Sequence, residues 1–190
     1  MQGVSFMSDG VLWVGDFQYD AGNFIMPEWR TLTNEKTGTT YKAWAVGFVL
    51  KDTESEFSKE NWDEATMEYA TPDYIFSITQ KIQGIAFING QIILSQSYGR
   101  KNDSKLLIYD NVLNNEQDTS VELNGTNVPV WFLDKGVSEG SYACMAQTEG
   151  LSTYNGKVLV LYESGATKYR GDAVNPTDHV WAVTFPSNEE

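Results

Sequence analysis

Two glutamates, Glu149 and Glu163, stand at either end of the stretch EGLSTYNGKVLVLYES. If that stretch folds back on itself as a hairpin, its two ends become neighbours and the two carboxyl groups meet. Two carboxylates in one place resist joint ionisation. One of them holds a proton at a raised pKa, or a cation or basic side chain settles between them. Lys168 and Arg170 follow closely and are candidate counter-charges. Such a pair serves as a ligand site, as an acid–base site, as a weak candidate for a divalent metal, or as a plain ion-pair network.

The elements that would position the pair recur. QGIAFINGQIILSQSY runs from Gln83 to Tyr98 and QGVSFMSDGVLWVGDF from Gln2 to Phe17, and both align with the Glu149 stretch without a gap. Each has a polar residue, a glycine, a short run, a turn and a longer apolar run. A repeat on this scale governs the reading of the whole chain. Asn89-Gly90 and Asn155-Gly156 favour the positive backbone angles of a two-residue hairpin turn. The first copy carries Asp9-Gly10 one position later, so its turn is expected to be a residue longer. In this register Gln2 meets Asp16, Gln83 meets Ser97 and Glu149 meets Glu163, all six at one rim, with Tyr98, Arg100, Lys168, Tyr169 and Arg170 supplied by the loops that follow. A concave, polar and aromatic rim is the default binding site. The alternative is that Gln2 and Gln83 satisfy free backbone groups of a neighbouring sheet. Gly3, Gly84 and Gly150 are expected where a side chain would strike that neighbour.

The second strand of each hairpin is apolar on consecutive positions, as in Val11-Leu12-Trp13-Val14 and Val158-Leu159-Val160-Leu161. A strand with one wet face would alternate, so both faces are expected to be covered. Radial stacking of β-propeller blades covers antiparallel sheets in this way; a sandwich with buried central strands is the alternative. Three blades follow along an all-β chain: 2–79, 83–134 and 149–185. Their third strands are expected at Tyr41–Leu50, Ser104–Asp110 and His179–Phe185. Fourth strands are expected at Asp73–Thr79 and Val128–Asp134, with a helical turn around Asn61–Ala70. The third blade lacks its outer strand.

The chain has 190 residues, with six Trp, ten Tyr and nine Phe, and a formal net charge of −13. That charge disfavours a nucleic-acid backbone and an anionic membrane surface. Cys144 is the single cysteine, which excludes an intrachain disulfide and a Cys-based metal cluster. His179 is the single histidine, which argues against a Ser-His-Asp triad or a His-rich metal site. Asp16, Asp20 and Asn23 supply oxygen atoms but lack EF-hand spacing, so an ordinary loop is the better reading. Phe24, Met26 and Trp29 either form a satellite cluster or overhang the rim. No glycine-rich nucleotide motif is present, and no apolar run reaches the length of a membrane span. MQGVSF does not read as a signal peptide.

The repeat architecture, with its QG…SYGR…S-L-IYD…EG…ESGA-KYR pattern, resembles the C-terminal half of a six-bladed β-propeller. The broad type includes NHL-repeat, SMP30/gluconolactonase-like and YncE-like rings, and the pattern is similar to uncharacterised, exported bacterial propeller proteins. The resemblance implies an extracellular or cell-envelope location and a ring completed by a second copy or by an N-terminal half. It also implies a binding or scaffold role with a glycan, peptide or other small molecule at the channel mouth. The alternatives are a metal-assisted lactonase, hydrolase or lyase using the channel carboxylates, and a purely structural ring fragment. No cofactor is expected, a divalent cation at the glutamate pair being the alternative.

Overall fold

The structure, a computed structural model, describes residues 3–8, 10–18, 26–51, 56–57, 70–134 and 138–186. Strands β1 (Gly3–Ser8) and β2 (Val11–Asp16) form the first hairpin. Ser8 pairs with Val11, so the turn is a two-residue one, no longer than the others; it sits one position later, which lengthens the arm before it and shortens the arm after it. Gly10 takes φ +76°, a conformation that favours glycine. A small ribbon of β3 (Leu32–Asn34) and β4 (Thr39–Tyr41) follows, where sequence suggested only loop. Next come β5 (Ala43–Lys51), β6 (Glu56–Phe57), which pairs with it, and β7 (Tyr74–Ile78). Strands β1, β2, β5 and β7 form an antiparallel meander in that order. The expected turn around Asn61–Ala70 falls mostly outside the described residues.

The second repeat contributes β8 (Ile82–Ile88), β9 (Gln91–Gln96) and β10 (Ser104–Asp110). A hairpin of β11 (Thr119–Leu123) and β12 (Thr126–Phe132) then departs from the expected order. The segment expected as the fourth strand of this repeat, Val128–Asp134, is largely β12, and it pairs in parallel with β7 of the first sheet. Val128 and Val130 there join Trp44 and Ile75 in a core of their own. The fourth strand of the second sheet is β13 (Ser138–Cys144), paired with β10. The third repeat gives β14 (Thr148–Tyr154), β15 (Lys157–Tyr162), a single helical turn α1 (Thr167–Arg170) and β16 (Trp181–Val183). Among the described residues no sheet closes on itself.

The sheets stack through apolar faces. Trp13 stacks on Phe76 at 4.4 Å between ring centroids and packs with Ile85, Ile92 and Leu94 between the first and second sheets. Ala86, Ile93 and Ile108 meet Leu151, Val158 and Val160 between the second and third. Strand β8 lies against both β1 and β14, and Cα atoms of β1 and β14 come within 8 Å of one another. Sheets packed face to face sit about 10 Å apart, so a flat stack would hold β1 and β14 roughly 20 Å apart. The stack therefore fans, with its first strands drawn together.

Gly84 shows why this approach needs glycine. A β-carbon there would lie 2.7 Å from the Glu149 carbonyl oxygen and 2.7 Å from the Leu151 nitrogen. Ser95 Oγ donates to the same Glu149 carbonyl at 2.7 Å, fixing the backbone of the third sheet to the second. Gly150 differs from expectation: a β-carbon there meets nothing within 4 Å, because no described residue covers that face of the third sheet.

Candidate functional site

The second and third hairpins share one irregularity. Ile82 pairs with Gln96 and Gly84 with Ser95, leaving Gln83 as the extra residue of a bulge. In the third copy Thr148 pairs with Tyr162 and Leu151 with Val160, with the register shift at Glu149 and Gly150. Ahead of each bulge sits a residue at positive φ, Lys81 at 66° and Gln147 at 65°. Its carbonyl accepts the N–H of Ser97 or of Glu163, at 3.0 and 3.1 Å. Bulges re-aim side chains at sheet ends, and in the third copy this one brings Glu149 to Glu163. The equivalent positions in the second copy are Gln83 and Ser97, and Ser97 is bonded to Ser104 instead.

Glu149 and Glu163 thus share a hydrogen bond on a half-buried rim. Burial, the charge of Glu163 and that hydrogen bond, in this order, push the Glu149 carboxyl up to about 7. Gln147 is buried beneath, its Nε2 donating to Glu163 Oε1 at 3.3 Å. Its Oε1 is buried without a hydrogen-bond partner among the described residues. The cluster is therefore rich in acceptors: two carboxyl groups and one unpaired amide oxygen.

The expected counter-charges lie elsewhere. Arg170 binds Asp178 Oδ2 at 2.8 Å and the Gly165 carbonyl at 3.0 Å. Lys168 lies over the Tyr169 ring at 5.0 Å. Arg100 pairs with Asp172 and its guanidinium lies 4.9 Å from the Tyr169 ring centroid, tying the loop after β9 to α1. No basic group contributes to the Glu149 shift.

The other rim residues are dispersed among structural roles. Gln2 lies outside the described residues, and the strand partner of Asp16 is Gly3. Asp16 holds Arg30 at 2.6 Å, and the Arg30 guanidinium lies 5.1 Å from the Trp44 ring centroid, which removes Asp16 from a calcium loop. Asp20, Asn23 and Phe24 lie outside the described residues. Met26 is buried, while Trp29 is 57% exposed and packs edge-on against Trp44 at 5.7 Å. Ser97 is buried and accepts a hydrogen bond from Ser104 at 2.9 Å. Tyr98 stays exposed on the rim, with Lys81 Nζ 4.7 Å from its ring centroid. His179 is exposed and paired with Asp178. The Cys144 thiol is pushed up by burial, unlike an activated nucleophile.

At the same end of the stack lies a cleft of about 320 Å³ that sequence reasoning missed. Residues 39–42, residues 78–81 and Gln96 line it. The ribbon forms one wall, held where Asn34 Nδ2 donates to Asp134 Oδ2 at 2.6 Å. Asn34 and Asp134 stand a hundred residues apart and share no motif, so only the polar segment T-L-T-N-E-K-T-G-T-T, an alternating stretch with a turn glycine, signalled the ribbon. Among the described residues no group of three His, Cys, Asp or Glu side chains could hold a metal ion, and no helix is long and apolar enough to cross a membrane.

No protein-family model, curated protein or solved structure matches the chain.

Proposed function

We propose that the chain is a binding module made of three propeller-type blades, half of a six-bladed ring, with its ligand at the rim where the first strands begin. The fan of sheets about β1, β8 and β14 supports the blade reading. The observation that carries the binding reading is the acceptor cluster of Glu149, Glu163 and the unpaired Gln147 oxygen. A buried acceptor without a donor is disfavoured by about 1–3 kcal/mol, so a ligand that brings donors gains by entering. Sugar hydroxyls and the ammonium or amide groups of a peptide fit; a free anion does not. The polar cleft and exposed Tyr98 on the same end suit a glycan, since a tyrosine ring gives a sugar a flat apolar face. An exported bacterial source accords with this role.

Calorimetric titration at pH 8 with neutral oligosaccharides and short peptides tests the reading. Saturable binding weakened about tenfold or more by Glu163→Gln is expected. Absence of binding across the panel, or binding that ignores this substitution, contradicts it. A second reading follows from Glu149 itself: a carboxyl titrating near neutrality beside another is suited to general acid–base work, with or without a metal. Hydrolysis of a lactone or ester panel, lost in Glu149→Gln, would favour that enzyme reading.

A further inference from the structure

The third sheet ends in a face that the second sheet shows how to cover. The two hairpins superpose turn on turn, Ile88 and Gln91 flanking one and Tyr154 and Lys157 the other. In that register Leu159 stands where Ile93 does, Leu161 where Ser95 does, and Ala182 where Ile108 does. Ile93 and Ser95 are 0% exposed, sealed by the third sheet. Their counterparts are less covered: Leu159 is partly exposed and Leu161 is 49% exposed, while Val180 and, at the turn end of the hairpin, Tyr154 are 56% and 65% exposed. Gly150 matches Gly84, the glycine against which a neighbouring backbone rests, and it has nothing within 4 Å.

The surface that seals such a face is also present in the chain. On the third sheet Val158 and Val160 make the seal, and their counterparts on the first sheet are Leu12 and Val14. Trp13 faces the second sheet, so alternation turns Leu12 and Val14 to the opposite side, where they are partly exposed beside Phe48 and Val46, at the margin of the core that Trp44, Ile75 and Val130 form on that face. We infer that the open face of the third sheet is an interface for the first sheet of a second copy, each chain capping the other. The inference rests on the stacked-blade reading above. The contact is made twice about a two-fold axis, which closes the assembly instead of propagating it. Apolar faces of this kind rarely stay bare in soluble monomers. Each chain carries a net charge of −13, so added salt should strengthen the pair by screening.

Light scattering after size exclusion at about 0.15 M salt is expected to give twice the 21.3 kDa chain mass. Leu161→Lys and Gly150→Val should each return the mass to one chain with the circular dichroism spectrum unchanged, because neither position has a tight neighbour in its own chain. A wild-type monomer at high micromolar concentration overturns the inference, as does a dimer that survives both substitutions. Gly84→Val separates this failure from failure of the underlying reading. If it lowers the urea midpoint while the wild type is monomeric, the internal stack stands and the assembly alone is wrong; an unchanged midpoint removes the stack as well.

Discussion

At the residue scale the two glutamates had the most legible chemistry. Their places at the ends of a repeated hairpin were enough to bring them together, and what they lacked was visible only in three dimensions. Arg170 and Lys168 stand near in sequence, yet one is taken up by Asp178 and the other by Tyr169. Sequence proximity said nothing of that, because the exposed turn α1 directs both away. The unpaired pair has a pH signature. Between about pH 4.5 and about 7 the folded chain keeps a proton on Glu149 that the unfolded chain has lost. Stability therefore falls as pH rises through that window. Replacing Glu163 with Gln removes the second-largest cause of the shift, so the Glu149 carboxyl should titrate closer to its ordinary value. The variant should also gain about 1 kcal/mol at pH 8, a figure discounted for the half-exposed rim. Carboxyl carbon NMR across pH 3–9 and urea melts at pH 5 and pH 8 measure the two effects. A variant no more stable than wild type at pH 8 would remove the electrostatic account.

At the element scale the hairpins were readable because turn chemistry and apolar run lengths agree there. Asn89-Gly90 and Asn155-Gly156 sit in two-residue turns with both residues at positive φ. Strand β10 matches its expected bounds, Ser104–Asp110. The β11–β12 hairpin was misplaced for a physical reason. VPVWFLD has the apolarity of a buried strand, but apolarity does not name a partner, and β7 offered a free edge that Val130, Trp131 and Phe132 fill in parallel. Glycine positions give the sharpest tests. Gly84→Val drives a side chain into the backbone of Glu149 and Leu151 and should cost about 1–3 kcal/mol. Gly150→Val should leave the unfolding free energy of the isolated chain within about 0.5 kcal/mol of wild type. Equal losses at both positions would contradict the asymmetry between a covered and an open sheet. The ribbon offers another test: Asp134→Ala strands the buried Asn34 amide, while the exposed Thr37 hydroxyl keeps its contact with Thr39. It should destabilise by about 1–3 kcal/mol and loosen the cleft wall, seen as faster amide exchange at residues 32–41.

At the scale of the whole molecule the repeat made stacking legible, while the direction of the stack was not. Continuous apolarity requires cover on both faces of a sheet, and a flat sandwich satisfies that as well as a fan does. What separates them is the approach of β1 to β14, two sheets apart in the chain order. The binding rim, the open third face and the pairing with a second copy all depend on that fan. Nitroxide labels at Ser5 and Ser152, in a Cys144→Ser background and diluted with unlabelled chain, measure it directly by electron paramagnetic resonance. The account predicts strong dipolar broadening from spins well inside the roughly 20 Å that two packed layers impose. Labels held at that separation or beyond would contradict it.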